Sequence, residues 1–102
     1  MPRSNDQRLT LAIAVDLPED ECALIREREP RVRLVRTGAL ARPRRYDSDW
    51  VGDPHFTRSD ADERAYREIL ESADAVVGLP DDSPAKLAAL VRSNPRLRWV
   101  HT

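Results

Sequence analysis

A chain of 102 residues with 17 basic against 18 acidic side chains, a net charge of −1, has room for one domain and one modest core. No stretch approaches the ~18 consecutive apolar residues of a membrane span, which excludes a transmembrane helix. The single cysteine, Cys22, has no partner for an internal disulfide and stands among acids with no histidine nearby, so it reads as a small core residue and not as a reactive thiolate.

Met1 to Arg8 is polar and lacks the apolar run of a secretory leader, so it is expected to form a disordered N-terminus on a cytoplasmic protein. Leu9 to Val15 is then apolar on both faces, as a central strand covered by helices on either side would be. Asp16-Leu17-Pro18-Glu19 supplies a cap residue, an early proline and an acid three positions on, which predicts a helix running to about Glu29 before Pro30 ends it. Arg31 to Arg36 is short and punctuated by arginine, a pattern suited to a sheet edge.

Residues 37 to 58 carry Gly38, Pro43, Gly52 and Pro54 with little periodicity, a long irregular connection of the kind that often carries function. Ser59 or Asp60 caps the next helix, on which Tyr66, Ile69, Leu70 and Ala73 fall at i, i+3, i+4 and i+7, one stripe to lay on the sheet. Ala75 to Leu79 is a third strand. Ser83-Pro84 opens a third helix with Leu87, Leu90 and Val91 on its inner face, and Asn94-Pro95 closes it. Leu97-Arg98-Trp99-Val100-His101-Thr102 alternates as a half-buried strand does.

Strands alternating with helices imply a parallel sheet with right-handed crossovers. Residues 9–102 are therefore expected to form a single doubly wound α/β domain, flavodoxin-like, with four strands in the order 2-1-3-4 and three helices. Relative to a complete fold of that type it is incomplete, short of the last strand and helix.

Ligands of such sheets bind beyond the carboxyl ends of the strands. The loop after the first strand holds Asp16, Glu19, Asp20 and Glu21 without a glycine, which repels phosphate. After the third strand, Ser83 either offers a hydroxyl to a ligand or caps the helix that Pro84 opens. Asp47, Asp49 and Asp53 with Gly52 match the first half of a calcium loop, but Arg58 stands where the bidentate glutamate belongs. His55 and His101 are too few and too poorly accompanied for a zinc site. Eight arginines lie within residues 26 to 45, and nine acids lie within residues 46 to 74. The basic run Arg42-Pro43-Arg44-Arg45-Tyr46 with Trp50 invites a nucleic-acid reading, but a basic loop facing an acidic helix accounts for it, and no nucleic-acid partner is expected. No dinucleotide fingerprint, Walker loop or nucleophile elbow is present. A receiver domain would need a lysine on a later strand, and an FMN site would have to use the acidic Asp16 to Glu21 loop.

The segment Ala73-Asp74-Ala75-Val76-Val77-Gly78-Leu79-Pro80, followed by Ser83-Pro84, Leu87-Ala88 and Asn94-Pro95-Arg96-Leu97-Arg98-Trp99-Val100, resembles the first domain of D-isomer-specific 2-hydroxyacid dehydrogenases. Trp50-Val51-Gly52-Asp53-Pro54 and Ala61-Asp62-Glu63 are similar to one bacterial branch of that family. The resemblance implies a flavodoxin-like substrate-binding domain of an oxidoreductase that passes a hydride between NAD or NADP and a 2-hydroxy or 2-oxo acid, usually as a homodimer. It also implies that the catalytic arginine, glutamate and histidine and the dinucleotide-binding glycines belong to a downstream region and a cofactor-binding domain missing from this chain.

The chain is thus expected to be an interrupted N-terminal fragment, inactive by itself, with no cofactor of its own. Only Leu79, Pro80 and Asp81 carry over as substrate-binding positions, and Asp81 and Asp82 are unfavourable near an anionic substrate unless they point away. The alternative is a stand-alone flavodoxin-like interaction module, self-associating through the unfinished sheet edge beside Trp99.

Overall fold

The computed structural model describes residues 9–101, so the N-terminus expected to be disordered and Thr102 lie outside the described residues. Four strands, β1 (Leu9–Ile13), β2 (Val32–Arg36), β3 (Ala75–Val77) and β4 (Trp99–His101), form one parallel sheet in the order β2-β1-β3-β4. Three helices connect them, α1 (Glu19–Arg28), α2 (Asp60–Glu71) and α3 (Pro84–Ser93). The expected architecture and strand order are both present.

The handedness of the crossovers decides which helix covers which face. From β1 the chain steps outward one way to β2, then back past β1 to β3 and on to β4, so right-handed connections put α1 on one face and α2 with α3 on the other. The core divides accordingly. Leu11, Ile13, Ala75 and Val77 pack with Leu17, Cys22 and Ile25 under α1. Ala12, Ala14 and Val76 pack with Tyr66, Leu70, Ala73 and Leu90 under α2 and α3. The alternation along β1 thus serves two cores, which is why its sequence is apolar throughout.

Helix starts follow local chemistry. Ser59 accepts a hydrogen bond from the Asp62 amide and Ser83 from the Lys86 amide, each at 3.1 Å, so both serines act as N-caps. The helix after β1 starts otherwise. Asp16 does not cap it: Pro18 is the N-cap residue, without a side-chain bond, and the Asp16 carboxylate instead accepts the Arg44 amide at 3.3 Å. The proline at 18 delays the helix by two residues, and the acids Glu19, Asp20 and Glu21 support its first turn through the helix dipole.

Two further expectations need correction. Val91 is 55% exposed and not on the inner face of α3, which Leu90 alone buries fully, because one helix on a sheet edge hides a narrow stripe. The irregular connection holds a short 3-10 turn at Gly38–Leu40, anchored where the Thr37 hydroxyl donates to the Ile13 carbonyl at 2.7 Å. Of the eight arginines in the basic block, Arg45 pairs with the following acidic block, through Asp49, whereas Arg26 and Arg36 reach back to Glu19. Cys22 is fully buried, as expected.

Candidate functional site

The carboxyl ends of β1 and β3 meet at the point where the connections diverge, the place at which open parallel sheets bind ligands. The two chains touch there. Gly78 has φ +96°, and a Cβ on it would lie 2.5 Å from Val15 Cγ1, so the loop after β3 leaves the sheet in a course only glycine permits. It continues through Leu79 into a 3-10 turn at Pro80–Asp82, with Asp81 and Asp82 both in the left-handed region at φ 50° and 53°.

Asp81 is held there by charge. Arg58 grips its carboxylate with both terminal nitrogens, at 2.8 and 2.7 Å, Lys86 Nζ lies at 2.5 Å, and Arg42 Nε lies 3.8 Å away. Burial favours the neutral acid, but the hydrogen bonds from Arg58 and Lys86 outweigh it and lower its pKa to about 2. The same guanidinium donates to Glu63 at 3.1 Å and to the Leu40 carbonyl, and it stacks 3.8 Å from the Tyr66 ring centre. Tyr66 in turn donates its phenolic proton to the Ala14 carbonyl at 2.7 Å, and burial pushes its own ionisation far above the ordinary range. One arginine therefore fastens the long connection, α2 and the β3 loop to one another.

The predicted positions Leu79, Pro80 and Asp81 all stand at this corner. Leu79 is half-buried at its rim, Pro80 is buried, and the Asp81 carboxylate is turned inward onto Arg58 rather than outward. Arg42, Arg58 and Lys86 gather around the Asp81 carboxylate, Arg58 and Lys86 also facing Glu63, while Asp16 and Asp49 line the same crevice as Arg42. The Asp81 charge is thereby paired where it stands, which offsets the repulsion anticipated between it and an anionic ligand.

The long connection closes over the crevice. Asp53 N donates to the Pro43 carbonyl at 3.0 Å, joining the ends of a loop whose centre is Asp49. The Asp49 carboxylate accepts the amides of Arg45, Val51 and Gly52 and the Arg45 side chain, the last of which holds its pKa far below the usual range. Those bonds account for Asp49, and Asp53 accepts the His55 amide at 2.9 Å. Between Val15, Asp16, Arg42, Trp50, Gly52 and Leu79 the remaining cavity is about 10 Å³, near the space one water needs. A larger groove of about 300 Å³ runs between α2 and α3 over Tyr66, Leu70 and Leu90.

No family model, curated protein or solved structure matches this chain. The site must be read from its own chemistry. His55 and His101 are exposed at separate places, and among the described residues no group of three histidine, cysteine, aspartate or glutamate side chains is arranged to hold a metal ion. Arg42 and Arg45 turn their cationic groups toward Val51, Asp81 and Asp49. The residue that sequence reasoning missed is Arg58. Its only local signal is a cation immediately before the Ser59 cap, whereas its partner Asp81 lies 23 residues on.

Proposed function

We propose that the chain supplies the first part of the substrate-binding domain of an NAD(P)-dependent oxidoreductase acting on 2-hydroxy and 2-oxo acids, and that it is inactive alone. The observation that carries this reading is the cluster of Arg42, Arg58 and Lys86 around Asp81, beside Leu79 and Pro80 at the carboxyl end of β3. Arg42 and Lys86 are the cations a ligand can reach, with side chains 21% and 47% exposed, and a carboxylate suits them. The hydride chemistry, the dinucleotide site and the acid–base residues belong on this reading to a separate cofactor-binding domain.

Titration of the isotopically labelled full chain with pyruvate, followed by amide NMR, tests the proposal. Millimolar binding should move the amides of Asp16, Arg42, Leu79, Asp81, Asp82 and Ser83, with acetate moving them less. No movement at saturating pyruvate would overturn the reading, and so would oxidation of NADH by the chain alone.

A second reading, a non-catalytic interaction module, draws on the α1 face of the sheet. Trp99 is 51% exposed there, with Trp50 and Leu24 also exposed at 43% and 51%. It predicts capture of a partner that Trp99→Glu abolishes, measured by light scattering, and a chain that stays monomeric and binds nothing through Trp99 would refute it.

A further inference from the structure

The groove between α2 and α3 adjoins the Asp81 cluster at one end and runs away from it along both helices. Each helix returns from one strand to the next of a parallel sheet, so the two lie side by side in the same direction. The floor is apolar. Tyr66, Leu70, Pro80 and Leu90 are all buried, yet they line about 300 Å³ of space. That is the low end of the roughly 300–1,000 Å³ of small-molecule pockets, whose walls are likewise mostly apolar.

The two ends differ in charge. Where the helices begin, Lys86 of α3 lies 3.9 Å from Glu63 of α2, an ion pair across the groove. A helix or strand laid lengthwise would have to displace it, so the space favours a compact ligand. Further along, Arg67, exposed, and Glu71, half-buried, line the groove one turn apart on α2, and neither side chain is in an ion pair among the described residues. Ser93, at the end of α3, donates its hydroxyl to the Leu90 carbonyl at 3.2 Å, which leaves its oxygen to accept. The carbonyl ends of both helices add partial negative charge beside Glu71 and Ser93.

A cation, an acidic end and an apolar floor thus share one pocket. Arg67 and Glu71 stand about 6 Å apart along the helix axis, a spacing that their side chains can close onto the two charges of one small zwitterion. A carboxylate alone would meet Glu71, and an amine alone would leave Arg67 unmatched. We infer that the α2–α3 groove binds a free α-amino acid with a large apolar side chain. Its carboxylate lies on Arg67, its ammonium on Glu71 and Ser93, and its side chain over Tyr66, Leu70 and Leu90. The site rests on neither the dehydrogenase reading nor the Trp99 surface.

Amide NMR of the isotopically labelled full chain titrated with L-leucine tests it. Leucine should move the amides of Arg67, Leu70, Glu71, Ala89 and Ser93 along a saturable curve and leave those of Asp16 and Arg42 in place. 4-Methylpentanoate and 3-methylbutylamine, which lack the ammonium and the carboxylate in turn, should each bind at least about tenfold more weakly, and glycine should cause no saturable shift. Arg67→Gln and Glu71→Gln should each weaken leucine binding about tenfold with an unchanged circular dichroism spectrum. No saturable shift with leucine overturns the inference. So does either single-charge analogue binding as tightly as leucine, or an affinity that Arg67→Gln and Glu71→Gln leave unchanged.

Discussion

Arg58→Ala is the most telling perturbation of the corner at the end of β3. The Arg58 and Asp81 side chains are 5% and 7% exposed, so removing the guanidinium strands a nearly dehydrated carboxylate. Breaking such a pair from one side costs ~3–5 kcal/mol. Lys86 remains at 2.5 Å and is 47% exposed, which moves the figure toward the lower end. Loss of the stacking over Tyr66, at 3.8 Å, adds roughly 1 kcal/mol, for a total of about 4 kcal/mol. A domain of this size has ~5–15 kcal/mol in all, and its melting temperature should fall by roughly 20 °C.

The pH dependence follows from the same contacts. The Asp81 pKa of about 2 in the folded protein lies below its ordinary value, because the hydrogen bonds from Arg58 and Lys86 overcome the effect of burial. The unfolded state therefore binds protons first. The stabilisation, worth roughly 2.5 kcal/mol, is complete above the unfolded pKa of about 3.9 and is lost as pH falls through the folded one. Urea unfolding monitored by circular dichroism should show the gap between wild type and Arg58→Ala narrowing between pH ~5 and ~2. The double variant Arg58→Met with Asp81→Leu should be more stable than Arg58→Ala, because it strands no charge. A single variant within about 1 kcal/mol of wild type at neutral pH would refute the reasoning, as would a gap that ignores acid.

Three further measurements probe other parts of the argument. Ser59→Ala and Ser83→Ala should each cost about 1 kcal/mol in urea unfolding and add in the double variant, since the two caps share no partner. Gly78→Ala should cost more than about 2 kcal/mol, because its Cβ would strike Val15 at 2.5 Å in addition to the strain at φ +96°, whereas Gly38→Ala, at φ +56° with open space around it, carries the strain alone, ~1–2 kcal/mol. Burial raises the pKa of the Cys22 thiol and hides it, so an aromatic disulfide reagent should modify it at the rate of global unfolding; rapid modification of the native chain would contradict that placement.

What the sequence disclosed was local or periodic. The two-faced apolar run of β1, the stripe through Tyr66, Leu70 and Ala73, and the prolines and serines at helix starts each declare themselves within a few residues, and together they imply the strand order. What it withheld depended on the path of the long connection. Nothing near Arg58 announces Asp81, and nothing near Asp16 shows that its carboxylate will meet the Arg44 amide instead of capping α1. The role of Asp49 was equally out of sight: its spacing matched only half of a calcium loop, and nothing local showed that its carboxylate would gather the amides of Val51 and Gly52. Val91 misled by composition, because a valine on a helix reads as inward until the helix's neighbours are counted.

The order of the strands also bears on how the chain is made. β1 lies at the centre of the sheet, and its register with β3 joins Leu11 to Ala75, a separation of 64 residues, against 23 between Leu11 and Leu34 of β2. Loop closure alone makes the longer pairing costlier by about 1 kcal/mol. On the ribosome, β1, α1 and β2 emerge and can associate first, but the Ala12 and Ala14 side of β1 has no cover until α2 and β3 follow. Synthesis slowed before residue 77 would leave a two-stranded ribbon with its inner edge open, the form of this protein most prone to pair with the wrong strand.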